Sequence, residues 1–433
     1  PVAVSTFAAG GFGTSGIDIS SSSMPNATGE YVVFASTDDL AGPGTNSYSQ
    51  IYRKNTITRG VELVSISRDN QNIANGNCAT PRISDTGRYV VFSSTANNLD
   101  PSITLPSTGI SHIYLKDMRE GTISLLDKST TPGQAGNNNS YKPDISGIPD
   151  TGSGKYVVFE STATDLHVND ADNTSDIFLI NVVSGNIDLI SVDSNEVKGD
   201  AASIAPRVSE NGRRIVFESI ATNLVADDTN TKSDIFLRNF GSDSTTSTDD
   251  DTLRLSINTL GNEVTGGPLG SKNADISSNG AYAVFQSDQH LDGDTNGNTI
   301  DIFLRSIDVP STAILSFAED GTDADADSTF PSISGDGRYV AFESLATTLL
   351  GLNTSNIGID TNGQSDIFVR DKNSSKISRV STDINGDQVN GTSTTAAISA
   401  DGRYVSFTTP YQFDATDFPS TNDIYRAYNS ALP

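Results

Sequence analysis

Carboxylates and amides on alternate residues are the chemistry this sequence repeats most often. Asp170, Asp172 and Asp176 recur as Asp228, Asn230 and Asp234, and again as Asp360, Asn362 and Asp366. A fourth version, Asp294, Asn296, Asn298 and Asp301, carries one extra residue before its last aspartate. Oxygen ligands at this spacing in a tight loop can converge on a hard cation of calcium's size, with Gly297 and Gly363 easing the turn. Calcium in a structural role is therefore expected at these loops, because packed carboxylates repel one another until a cation neutralises them. The competing reading is that Asp and Asn stand there as turn and strand-start residues with no metal, since both favour such loops.

Other constellations are missing from the sequence. It has three histidines, His112, His167 and His290, and one cysteine, Cys78. There is no G-x-S-x-G, no H-E-x-x-H, no phosphate loop and no Cys–His pairing. His112 occupies the slot that aspartate holds in the acidic loops, which marks it as a strand-start residue and not a base. Paired carboxylates for glycoside chemistry are not singled out by any spacing. Arg82, Arg207, Asp144 and Asp275 are expected to form ion pairs between neighbouring sheets. Asp323, Asp325 and Asp327 alternate like a calcium loop but read as a solvated charge run.

The elements that must position the loops are themselves repeated. A turn followed by an apolar strand recurs at Thr28–Ser36, Thr86–Ser94, Ser153–Ser161, Asn211–Ser219, Asn279–Ser287, Asp336–Ser344 and Asp401–Thr409. Runs such as Ile215–Phe217 lack polar alternation, as expected of strands covered on both faces. The turn glycines alternate between spacings in the high fifties and high sixties, long enough for four short strands. A period of this size means a propeller, solenoid or array. Each unit reads as a short strand before the turn (Ile17–Ser20 in the first unit), the apolar strand, the acidic loop, a third strand such as Ile235–Arg238, and a fourth such as Leu253–Ile257. The seventh unit lacks its fourth strand. Val2–Thr6 resembles the fourth strand near Arg379–Thr382 and can supply it, which closes a ring. The expectation is an all-β, seven-bladed β-propeller of four-stranded blades, one domain over 1–433, with residues 1–6 completing the blade formed by 396–427.

The repeats also rank the loops. The residue after the apolar-strand phenylalanine is Glu160, Glu218 and Glu343 in blades three, four and six, and Gln286 in blade five. It is Ala35 and Ser93 in blades one and two, where Gln50 and His112 replace the strand-start aspartate. This covariation suggests that the acid lies near the loop. Blade seven keeps only Asp414, Asp417 and Asp423, at poor spacing.

Composition sets the outer limits. With 27 basic against 54 acidic residues the formal charge is −27, which argues against nucleic acid or an anionic membrane as partner. No apolar run reaches the length of a membrane span. A lone cysteine excludes an internal disulfide. No signal peptide is visible, and Pro1 reads as a processed or engineered start.

The repeat, with its Asp-Gly-Arg-Tyr turn, Phe-Glu-Ser strand end and Ser-Asp-Ile-Phe third strand, resembles the TolB-like, WD-repeat-like propeller repeats of secreted and periplasmic bacterial proteins. The resemblance covers nearly the whole chain and implies fold, not activity. It also implies an extracytoplasmic setting. The second-to-third-strand loops and the blade-to-blade connections leave by one face, which is therefore acidic. Long loops on a rigid scaffold are where binding sits. The expected function is a non-enzymatic, calcium-stabilised module that binds protein or glycan on that face, as part of a larger surface or extracellular assembly. The alternatives are a propeller enzyme acting on an extracellular polymer (a polysaccharide lyase or hydrolase) and a TolB-like periplasmic adaptor.

Overall fold

The computed structural model describes residues 2–4, 24–41, 47–67, 72–147, 155–240, 250–264, 266–291, 299–351, 360–383, 385–411 and 423–432. Seven four-stranded antiparallel sheets are present, six of them meanders in which sequence neighbours pair and the seventh completed by the N-terminal strand. The second and third strands are six residues long in every blade, for example Tyr156–Ser161 with Asp176–Asn181. Both are buried on both faces, which explains their unbroken apolar runs. Within a blade the paired phenylalanines stack, as Phe159 on Phe178 at 5.8 Å between ring centroids. Between blades the apolar faces meet: Val91 and Ile113 of blade two share a core with Val157, Phe159 and Phe178 of blade three.

Ring closure follows the expected route. Val2–Ala3 pairs antiparallel with the third strand of blade seven, Val2 opposite Arg426 and Ala3 opposite Tyr425. Val4 donates its backbone N–H to the Ile424 carbonyl at 2.8 Å. Its side chain is fully buried with Val32, Phe34 and Tyr52 of blade one, so the terminal strand also seals the seam between the last and first blades.

The inner strand of blade one departs from expectation. Ile17–Ser20 lies outside the described residues, and the strand that pairs with Tyr31–Ser36 is Met24–Pro25. Asn26 then takes the place of the turn serine. Its Oδ1 accepts the Tyr31 N–H at 2.9 Å, as Ser84 Oγ accepts the Tyr89 N–H at 3.1 Å in blade two. An asparagine can make the same local acceptor as a serine, which hid the register.

The turns differ from two-residue hairpins. Ser84 N–H donates to the Tyr89 carbonyl, and Gly87 N–H donates to the Ser84 carbonyl at 2.8 Å, leaving four residues in the loop. Gly87 has φ +76°, and a Cβ there would lie 2.6 Å from the Tyr31 ring of the preceding blade. The turn glycine thus serves both its own hairpin and the blade-to-blade seam.

Each described inner strand from blade two onward carries a bulge at which a non-glycine residue adopts positive φ: Thr80, Lys142, Ala205, Asn273, Phe330 and Thr395. These bulges explain the covarying acids differently from the sequence reading. Glu160, Glu218 and Glu343 do not face the acidic loops. Their carboxylates accept the N–H of Ala205 at 2.7 Å, Asn273 at 2.6 Å and Thr395 at 2.5 Å, in the next blade. Gln286 Oε1 does the same for Phe330 N–H at 3.0 Å. They clamp blade to blade around the channel.

Candidate metal centres on the loop face

The third strand of each blade begins at the loop, and its first side chain points into the blade. In blade three that residue is Asp176, fully buried, whose Oδ1 accepts from Ser191 Oγ at 2.7 Å. Blades four, five and six repeat the pair as Asp234–Ser256 at 2.5 Å, Asp301–Ser316 at 2.6 Å and Asp366–Ser381 at 2.5 Å. Blade one substitutes Gln50, whose Oε1 accepts from Ser65 Oγ at 2.6 Å. Blade two inverts the pair: His112 Nδ1 lies 2.9 Å from Asp127 Oδ2, both fully buried. His112 is therefore locked inside its blade, in keeping with a strand-start role.

Blade three brings all three of its expected residues together. Asp170, Asp172 and Asp176 offer carboxylate oxygens within 4.8 Å of one another. Lys198, from the connection to blade four, reaches into the group: its Nζ lies 3.5 Å from Asp170 Oδ1, 2.8 Å from Asp172 Oδ2 and 2.9 Å from Asp176 Oδ2. Burial pushes the Asp176 carboxyl up to about 6 against this ion pair, and burial raises Asp170 as well. Asp172, exposed at its rim, is lowered by its hydrogen bond from Lys198. Burial opposes the charge of Lys198, but its bonds to Asp172 and Asp176 outweigh that and hold its pKa above the ordinary lysine value.

In blade four the carboxylates that converge are Asp228, Asp234 and Glu263, the last of which the loop spacing did not include. Asn230 Nδ2 donates to Asp234 Oδ2 at 3.1 Å, and its Oδ1 accepts from the Lys232 N–H at 2.7 Å. The amide therefore turns its oxygen to the loop backbone. Arg254 supplies the cation, its Nη1 at 3.2 Å from Glu263 Oε1, 3.5 Å from Asp228 Oδ1 and 3.9 Å from Asp234 Oδ2. Burial, then repulsion from Asp234, pushes Asp228 up to about 6.

Blade six is poorer in charge. Gln388 Nε2 bridges Asp360 Oδ1 and Asp366 Oδ2, each at 2.7 Å, and Arg379 Nε stands 3.6 Å from Asp366 Oδ2. Asn362 donates Nδ2 to the Val389 carbonyl and accepts the Gln364 N–H, so it too serves the loop backbone. In blade five Asp301 sits in its expected slot, whereas Asp294, Asn296 and Asn298 lie outside the described residues.

Sequence reasoning missed Lys198, Arg254, Glu263, Arg379 and Gln388. A signal existed, because one position of the connection carries Lys198, Glu263 or Gln388. The backbone aligns it: Val192 bridges Lys198 and Thr382 bridges Gln388, and Asn258 N–H bonds the Asn262 carbonyl just before Glu263. Asp325, read as part of a solvated run, is exposed and also clasps the second-to-third loop, accepting the Thr347 N–H at 2.7 Å, as Asp200 does for Thr222 at 2.7 Å.

The unpaired atoms bear on whether the residues suit a cation. Asp170 Oδ2, Asp228 Oδ1 and Asp360 Oδ2 are buried and accept no hydrogen bond, and Asp176 Oδ2 meets only the Lys198 ammonium. The first aspartates of blades three and six thus each keep a buried oxygen without a partner, and in blade four Asp228 Oδ1 is held only by its 3.5 Å contact to Arg254, arrangements that cost free energy. The groups in blades three and four can hold a metal ion.

At the ring's centre, Arg82 lies 4.0 Å from Asp144 and Arg207 lies 3.9 Å from Asp275, ion pairs that cross between neighbouring blades as expected. Beside them is a cavity of about 360 Å³ lined by Lys142, Phe330 and Thr395, among others.

Seven radial four-stranded sheets closed by a terminal strand define a seven-bladed β-propeller. No family model and no curated protein sequence matches the chain. Solved structures with a similar fold include TolB from Acinetobacter baumannii, 14% identical, with 82% of this chain and 64% of that chain covered and a TM-score of 0.42. They also include a prolyl endopeptidase, 12% identical, covering 95% of this chain and 50% of that one, with a TM-score of 0.51. Oligogalacturonate lyase from Vibrio parahaemolyticus is 11% identical over 99% of this chain and 90% of that one, with a TM-score of 0.51. The chain thus spans less than two thirds of the length of the TolB and the endopeptidase. At these identities the likeness is one of fold.

Proposed function

We propose that this propeller is a non-enzymatic, calcium-stabilised extracytoplasmic module whose acidic loop face engages a protein or a glycan. The observation that carries the calcium reading is the buried oxygen without a hydrogen bond on the first aspartate of each loop, unpartnered on Asp170 and Asp360 and held only by a 3.5 Å contact to Arg254 on Asp228. A hard divalent cation would take these oxygens together with Asp172 and Asp176 in blade three, Asp234 and Glu263 in blade four, and Asp366 in blade six. Backbone carbonyls and water would complete each shell. Calcium would supply charge neutralisation and nothing chemical. Affinity follows ligand charge, so blade four, with the carboxylates of Asp227, Asp228, Asp234 and Glu263 around one guanidinium, should bind most tightly. Blade three, with its trio around one ammonium, comes next, and blade six last.

Calcium sites of extracellular modules work at about 10⁻⁴–10⁻³ M, which suits an extracytoplasmic setting. Binding to the native state alone stabilises it by about 2.7 kcal/mol per site at one hundred times the dissociation constant. Thermal unfolding with calcium and with excess chelator, alongside elemental analysis, tests this. Calcium should raise the melting temperature, and Asp228→Ala with Asp234→Ala should remove blade four's share alone. Identical curves with no bound calcium would return the loops to ordinary Asx turns.

A further inference from the structure

We infer that Lys198 is a tethered counter-cation that sets the strength and the selectivity of the blade-three site. It blocks monovalent ions and gives way to a divalent one. This rests on the calcium reading for that loop, which the experiment below separates from it.

The geometry puts one ammonium where the three carboxylates converge, at 2.8 to 3.5 Å from each. A buried oxygen, Asp170 Oδ2, is still left without a partner. The lysine therefore satisfies the group only in part. Comparison between blades shows that its presence is compensatory. On the outer strand, the residue opposite the stacked phenylalanine is Arg254 in blade four and Arg379 in blade six, and each guanidinium reaches its own acidic loop. In blade three that position is Leu189, which can supply no charge. The cation arrives from the connection instead, at the position that carries Glu263 and Gln388 in the other two blades. Each described site thus holds a protein cation, delivered from one of two places.

The two kinds of cation differ in how readily they leave. The Arg254 and Arg379 side chains are 2% and 5% exposed, and Arg254 also bonds the Asp227 carbonyl at 3.0 Å. Lys198 is 16% exposed and enters from the rim on a flexible stem, with no hydrogen bond from its ammonium to a backbone carbonyl among the described residues. Its ammonium can swing to water when a better cation arrives. Replacing it by sodium or potassium exchanges one positive charge for another and gains nothing. Replacing it by a divalent ion adds a charge among three carboxylates and gives Asp170 Oδ2 a partner. Selection against monovalent ions is therefore built into the lysine.

Calcium titration calorimetry and thermal unfolding of the metal-stripped full chain test this, with wild type, Lys198→Met and Lys198→Arg compared in low and high sodium. Lys198→Met should tighten one calcium site by about tenfold or more, as expected when a competing charge is removed. It should also lower the metal-free melting temperature, with recovery on adding calcium. Sodium should compete with calcium in this variant and not in wild type, while Lys198→Arg, whose guanidinium grips carboxylates in a fork and leaves less readily, should bind calcium more weakly than wild type. A lysine that only supports the fold would lower the melting temperature with no calcium rescue and no sodium effect. Lys198→Gln carries the same readouts if the methionine variant does not fold. Calcium bound equally by wild type and Lys198→Met would overturn the inference and leave the calcium reading standing. Calcium bound by Lys198→Met and not by wild type would overturn both at this blade, making Lys198 a permanent substitute for the metal that does not give way. Binding by neither overturns both.

Discussion

Replacing Gly29 by alanine should open the seam between the first and last blades. Gly29 has φ +65°, and a Cβ would lie 2.5 Å from Tyr404 Cδ2 and 2.9 Å from Tyr404 Cβ. The ring cannot simply step aside. Arg426 covers it at 4.2 Å from the centroid, Tyr428 meets its edge at 5.9 Å, and Arg426 also donates to the Gly29 carbonyl at 2.7 Å. Holding an L-residue in the left-handed region costs about 1–2 kcal/mol. Forcing a methyl into a packed contact adds about 1–3 kcal/mol. Gly133 separates the two effects, because it has φ +80° and nothing within 4 Å of an added methyl. Gly133→Ala should therefore lose only the backbone share, and Gly29→Ala the sum. Urea unfolding at fixed calcium gives the difference, and a double-mutant cycle with Tyr404→Ala assigns it to the contact. Equal losses in Gly29→Ala and Gly133→Ala, or no coupling to Tyr404, would refute the claim that turn glycines pack the seams.

Two further predictions concern buried ionisable groups. Burial pushes Glu343 up to about 7, so the stability it contributes is fully present below its unfolded value, near 4.5, and is lost as pH rises through 7. Glu343→Gln copies the residue blade five uses at the same bulge. It should flatten that loss, up to about 3 kcal/mol between pH 4 and 8, and be more stable than wild type at pH 8; parallel pH profiles would count against it. In blade two, His112→Ala leaves Asp127 Oδ2 buried without its partner, while Oδ1 keeps the Ile113 N–H, and should cost about 1–3 kcal/mol. Exchanging both residues, as His112→Asp with Asp127→Ser, recreates the pair of the other blades and should recover part of that loss in chemical denaturation. A double variant no better than His112→Ala would show that the two do not act as a pair.

The sequence by itself determined the architecture. Two doubly buried strands per unit leave their mark as unbroken apolar runs, and seven copies at a near-constant period admit few folds. The missing outer strand at one end and a matching segment at the other sufficed to place Val2–Ala3 against Tyr425 and Arg426, because strand pairing needs only one partner edge. The slots of Asp176, Asp234, Asp301 and Asp366 were legible for the same reason: each follows from the strand it begins. What the sequence did not determine was which side chains meet across elements. Asn230 and Asn362 have the right spacing for ligands, and their amide oxygens also accept the N–H two residues on, as one Asp172 oxygen does, a local bond that spacing alone does not reveal. Glu160, Glu218 and Glu343 travel with the acidic loops through the repeats but serve the channel bulges of the next blade. Lys198, Arg254 and Glu263 reach their loops only because the outer strand and the connection fold back over them. Electrostatic partners are set by distance in space, and no one-dimensional spacing encodes a contact between residues brought together by the closing of a blade.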